Sequence, residues 1–184
     1  MKSDARAFAD AISALLGPHD AIRVVHPTRA GLLPVCCFVF NNRPESGLMT
    51  AVTYGLSLSE HPAWGTEKPE LILCVRSTDD EWGLSIASFA ERLRGDESFD
   101  EGSILTGNTP LSSESEMDGF LLDEPQLADC EAGRIALPTR AVRLRGAYPI
   151  YECETDLIRK IGGKQFLEKP GADFRDVQRD HIWQ

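Results

Sequence analysis

Three acids, Glu152, Glu154 and Asp156, stand at two-residue spacing beside Tyr151, just after Arg143 and Arg145. Paired carboxylates could carry a proton to and from a substrate, and a tyrosine hydroxyl could hold a ligand. Arginines two apart on a strand share a face and could clamp a small anion between their planar forks. The same residues also have simpler uses. Acids at i and i+2 on a helix diverge, and acids in a first helical turn stabilise the helix dipole. The arginines can neutralise the acids that precede them, and a tyrosine at this position can be half-buried packing. Ser57 follows Gly55 as in a nucleophile elbow, but the second glycine is missing, and no phosphate-cradling glycine loop occurs. Cys36 and Cys37 lie inside the apolar run Val35-Cys36-Cys37-Phe38-Val39-Phe40, where strand neighbours point to opposite faces, and Cys74 lies in a second such run. The four histidines form no pair at zinc-ligand spacing. No catalytic residue, metal or cofactor is expected.

The charge is unevenly placed. The chain of 184 residues carries a net charge of −10, and eleven acids fall between Asp96 and Glu131 with no Lys or Arg among them. The remaining 18 of the 29 acids face all 19 bases, so the rest of the chain is nearly neutral. Such a balance argues against direct nucleic-acid binding, which needs bases in excess. Glu114, Glu116, Asp118, Asp123 and Glu124 are the candidate partner-binding residues, because clustered carboxylates attract a cationic surface. Their simpler use is a solvated face that aids solubility. With 42% hydrophobic and 26% charged residues the composition is that of a soluble globular protein. No apolar run reaches the roughly 20 residues needed to span a bilayer, and Met1-Lys2-Ser3-Asp4 opens no signal peptide, so a cytoplasmic location is expected and no membrane partner.

Three helices must position these residues. Ser3 or Asp4 caps the first, whose stripe is Phe8, Ile12 and Leu15 and which ends at Gly17-Pro18. Thr78 and Glu81 have capping-box spacing for the second, with Trp82, Ile86, Phe89 and Leu93 on one face and Gly95 closing it. The third starts near Pro149 or Tyr151, buries Leu157, Ile158 and Ile161, and ends at Gly162-Gly163. Strands are expected over Ile22–His26, Val35–Asn41, Leu48–Tyr54 and Glu70–Arg76, then Ser103–Leu105, Gly119–Leu122, Arg134–Leu137 and Val142–Tyr148. The polar segments 41–46, 61–69, 107–116 and 123–133 read as loops. Strands arriving in series rather than alternating with helices point to an α+β fold. It is a mixed, mainly antiparallel sheet with helices packed on it, expected as a single compact domain over residues 1–184.

Ordered phrases then carry a resemblance. Thr53-Tyr54-Gly55-Leu56-Ser57 is followed by Pro69-Glu70-Leu71-Ile72-Leu73, the helix with Trp82, and Gly102-Ser103-Ile104. Next come Ser113-Glu114-Ser115-Glu116-Met117, Gly119-Phe120-Leu121-Leu122 and Asp123-Glu124-Pro125-Gln126-Leu127. Tyr148-Pro149-Ile150-Tyr151-Glu152-Cys153-Glu154 closes the series. Across about Leu48 to Gly163 the chain resembles the Suppressor of Fused domain, of the bacterial single-domain type.

The resemblance implies a protein-binding module rather than an enzyme. Animal relatives are described as carrying a second domain and holding Hedgehog-pathway transcription factors through an extended peptide. Bacterial single-domain relatives look like immunity proteins of contact-dependent toxin systems. A second domain is not expected within these 184 residues, so no residue of the animal peptide site is carried over. The motif residues Gly55, Leu56, Ser57, Glu70, Leu71, Trp82, Pro149, Tyr151 and Glu154 are read as structural. Gly55 serves backbone geometry at a strand end, Leu56 and Leu71 core packing, and Ser57 a local turn. Two functions stay open. One is an immunity-type protein whose carboxylates occupy the basic groove of a toxin or other protein partner. The other is an enzyme or small-anion binder using Tyr151, Glu152 and Glu154 with Arg143 and Arg145. Oligomeric state is not legible.

Overall fold

The computed structural model describes residues 3–126 and 133–183. Asp129, Cys130 and Glu131 of the acidic stretch lie outside the described residues. Helix α1 (Asp4–Leu16) begins where the Ser3 hydroxyl accepts the Arg6 N–H, and Gly17, at φ 84°, ends it. Phe8, Ile12 and Leu16 are its buried face. Strands β1 (Ala21–Val25), β2 (Val35–Asn41), β3 (Met49–Tyr54) and β4 (Glu67–Val75) follow, then α2 (Glu81–Leu93). After α2 come β5 (Ile104–Thr106), β6 (Gly119–Asp123), β7 (Arg134–Ala136) and β8 (Ala141–Ile150). A 3-10 turn (Glu152–Glu154), α3 (Thr155–Ile161) and α4 (Gly163–Leu167) close the order.

The strands form one eight-stranded sheet in the order β1-β2-β3-β4-β8-β6-β5, with β7 also paired to β8. Every pairing is antiparallel except β4 with β8. That parallel register runs from Glu67↔Ala141 to Ile72↔Gly146, and the long crossover between the two strands contains α2. The fold is therefore α+β with a mixed, mainly antiparallel sheet, as the serial strands imply.

Both faces of the sheet are covered, which explains why β2 reads as a continuous apolar run. Cys37 and Val39 pack in the cluster that holds Trp82, Ile86 and Phe89 of α2. Their neighbours Phe38 and Phe40 pack with Phe8 and Ile12 of α1. On β8, Val142 and Leu144 belong to the α1 cluster, while Tyr148 and Ile150 pack with Leu157, Ile158 and Phe166 of α3 and α4. These four residues share parity, so α1, α3 and α4 lie on one face and α2 on the other. Helix α2 seats closely: a Cβ on Gly83 would come within 3.2 Å of Cys37 Sγ and 3.4 Å of Ala51 Cβ.

Two local expectations are corrected, and the end of the chain adds structure not read from the sequence. The capping box at Thr78 does not form. Asp80 is the N-cap residue without a side-chain bond, and the Glu81 N–H donates to Asp79 Oδ1 at 3.0 Å. Glu81 instead reaches outward to accept the Ser113 N–H at 2.9 Å. Residues 67–69, read as loop, are strand, because β8 pairs with β4 from Glu67 onward. Beyond Gly163 the chain makes α4 and then an irregular tail whose Phe174 and Val177 are buried, in the α3/α4 cluster and the α2 cluster respectively.

Candidate functional site

The motif residues assemble around two buried carboxylates. Glu70, on β4, is fully buried. Its Oε1 accepts the Gly55 N–H at 2.7 Å, the Ser57 N–H at 2.9 Å and the Ser57 hydroxyl at 2.8 Å. Its Oε2 accepts the Thr53 hydroxyl at 2.7 Å, and Thr53 Oγ1 in turn accepts the Leu71 N–H at 2.8 Å. Burial pushes the Glu70 carboxyl above its ordinary range, opposed by these four donors. The turn that delivers three of them requires glycine at 55. Its φ is 138°, and a Cβ there would stand 2.7 Å from the Pro34 carbonyl oxygen and 2.9 Å from Val35 Cα. Leu56 and Leu71 flank the cage and are fully buried in the α2-side core. Ser57 therefore does more than shape a local turn.

Glu154 is the second buried carboxylate. Arg179 grips it with two bonds, Nη1 to Oε1 at 2.6 Å and Nη2 to Oε2 at 2.7 Å. The Tyr151 N–H and the Ile182 N–H donate to the same carboxylate at 3.0 and 2.8 Å. Arg179 Nη2 also reaches the Pro149 carbonyl at 3.2 Å, and the Tyr151 hydroxyl donates to the Arg179 carbonyl at 2.6 Å. Pro149 itself lies past Ile72↔Gly146, where the β4 ladder has ended, so its missing N–H removes no β4–β8 bond. Glu154 thus caps the start of the 3-10 turn, as an acid at a helix end can, and also anchors the tail. Arg179 carried no sequence signal, since it lies in an irregular segment 25 residues away. Arg94, also unforeseen, is buried beyond α2 and donates to the Leu33 carbonyl at 2.6 Å, with burial lowering its pKa.

The five candidate partner-binding acids fall into two groups. Glu114 and Glu116 are exposed and line a shallow groove of about 490 Å3 with Tyr151 and Gln178. Glu114 Oε2 also accepts the indole N–H of the fully buried Trp82 at 3.2 Å, so this acid has a structural contact. Asp118 is half-buried, and burial raises its carboxyl, with Glu152 nearby. Asp123 and Glu124 lie at the other end of β6, roughly 17 Å along the strand from Asp118 at about 3.3 Å per residue. Burial also raises the Asp123 carboxyl, with Glu101 and Glu124 as neighbouring charges. Elsewhere in the stretch, Asp96 pairs with Arg29 and Glu101 with Arg145.

The alternative acid–base constellation is not brought together. Glu152 is exposed, Glu154 is occupied by Arg179, and Asp156 pairs with Arg159 at 3.3 Å. Tyr151 stands six residues beyond Arg145 along β8, roughly 20 Å at strand spacing. Arg143 and Arg145 line a separate cavity with Trp64 and Phe99.

The chain matches the family "Suppressor of fused protein (SUFU)" over residues 31–180. No curated protein matches it. Among solved structures it is similar to a SUFU homolog from Neisseria gonorrhoeae FA 1090, at 17% identity and a TM-score of 0.75, covering 97% of each chain. It is also similar to the crystal structure of the Sufu–Fu complex, at 14% identity and a TM-score of 0.71, covering 97% of this chain and 91% of that one. Drosophila Suppressor of Fused matches at 14% identity and a TM-score of 0.60, over 81% of this chain and 42% of that chain. At these identities the likeness concerns the fold.

Proposed function

The chain belongs to the Suppressor of fused protein family, and we propose that residues 1–184 act as one protein-binding domain, an immunity-type protein that works in the cytoplasm by covering the active surface of a cationic toxin or other basic partner. The observation that carries the binding role is that a structure of the same fold is that of a Sufu–Fu complex. The buried ionisable groups of the family motifs support the same reading, because Glu70 and Glu154 are spent on holding backbone and tail.

The cationic character of the partner follows from charge. Glu114 and Glu116 sit at an open groove, Glu124 is exposed at the far end of β6, and the chain carries −10 overall. Carboxylates displayed in this way compete with phosphates for a basic groove and speed encounter with it. Co-expression with the product of the neighbouring reading frame tests the proposal, which requires that product to be basic and toxic. It predicts a complex that survives size-exclusion chromatography and abolishes that product's toxicity. Two proteins that elute separately, with toxicity unchanged, would contradict it.

A further inference from the structure

We propose that the cavity between β8, the 61–66 loop and the loop after α2 binds a small oxyanion of carboxylate or phosphate type, clamped by Arg143 and Arg145. Its volume is about 170 Å3, against roughly 30 Å3 for one liquid water, so it accommodates such an ion with a few waters. Trp64, Pro69, Phe99 and Asp100 line it together with the two arginines. Arg143 and Arg145 alternate along β8 and so present their guanidinium groups on one face, away from Val142 and Leu144 in the α1 core.

Their donors are only partly committed. Arg143 has a single ion pair among the described residues, to Glu67 Oε2 at 3.9 Å, beyond hydrogen-bond reach. The other Glu67 oxygen is taken by Arg134 Nε at 2.6 Å. Arg145 gives one Nη1 to Glu101. Their side chains are 28% and 17% exposed, so contacts made there are less screened than on open surface. The walls are fixed. The Trp64 indole donates to the Ser98 carbonyl at 2.7 Å. The next residue, Phe99, is fully buried with φ at 56°, a left-handed backbone that persists in an aromatic residue only where the surroundings enforce it.

Local charge is nearly balanced, with Arg134, Arg143 and Arg145 set against Glu67, Asp100 and Glu101. A spherical anion therefore gains little. An oxyanion gains paired N–H···O bonds from the two forks, so selection rests on geometry more than on charge. The test is an NMR titration of 15N-labelled protein with sodium phosphate and with sodium acetate, against sodium chloride at matched ionic strength. Saturable shifts confined to the Trp64 indole, Phe99 and the Arg143 and Arg145 side chains are expected. Saturation by phosphate alone identifies a tetrahedral ligand, and by acetate alone a carboxylate. Arg143→Lys, which keeps the charge and loses the fork, should bind about tenfold more weakly, a loss of about 1.4 kcal/mol. Identical shifts with chloride, shifts mapping elsewhere, or Arg143→Lys binding as tightly as wild type would each overturn the proposal. The wild-type map decides the matter even if a variant fails to fold.

Discussion

Glu70 is a carboxylate taken out of water and met by four donors, three of them from the segment Gly55-Leu56-Ser57. Removing it leaves buried N–H groups without acceptors, so Glu70→Ala should cost roughly 3–5 kcal/mol in denaturant unfolding. Glu70→Gln should cost much less. Its carbonyl can replace Oε1, and Thr53 can turn its hydroxyl to accept from the amide. Equal losses for the two variants would show that the cage is not what the carboxylate supplies. A pH dependence follows as well. The folded pKa is raised by burial, so the folded protein holds this proton to higher pH than the unfolded chain. Stability from this group is complete below the unfolded value of about 4.3 and is lost as pH rises through the folded value. The stability difference between wild type and Glu70→Gln should shift against wild type over that window, and a flat difference would contradict the assignment. The phrases holding Thr53, Gly55, Ser57 and Glu70 were legible as motifs. Their union was not, because a buried acid breaks the apolar pattern from which core positions are read.

The tail shows the same limit at the scale of elements. Strands and helices with strong periodicity, such as β2 and α2, stand where apolar spacing puts them, since burial on two faces or one face fixes that spacing. Residues 168–183 contain no helix or strand; the Arg179–Glu154 pair and the buried Phe174 and Val177 hold them down, together with the Arg76 N–H bond to the Arg175 carbonyl and the Arg76–Asp173 and Arg175–Glu45 ion pairs. Arg179→Leu should therefore loosen the end of the tail around residues 179–182 and leave Glu154 buried without its counter-charge. Hydrogen exchange should rise first at the Tyr151 and Ile182 N–H groups, whose acceptor is Glu154. Uniform loosening of all elements would argue against a local anchor. In the core, Leu56→Ala and Leu71→Ala should each cost about 2–5 kcal/mol, as fully buried leucines do. An unchanged denaturant midpoint would show that neither packs as described.

For the molecule as a whole, the acidic stretch was legible in composition but its division was not. Sequence order puts Asp118 and Asp123 five residues apart, and only the strand between them shows that they sit at opposite ends of β6. Two of its acids among the described residues are also paired with arginines that lie far away in the chain, Asp96 with Arg29 and Glu101 with Arg145. What remains exposed, Glu116 and Glu124 foremost, is the charge a basic partner would meet first. The most direct measurement is the association rate with that partner as a function of salt, for wild type and for Glu116→Gln/Glu124→Gln. The Debye length falls from about 30 Å at 0.01 M to about 8 Å at 0.15 M ionic strength, so a steered encounter must slow as salt is added. The account predicts a steep salt dependence for wild type. It predicts severalfold slower association and a shallower slope for the double variant, with unfolding unchanged. Rates and slopes that are the same for both proteins would contradict it.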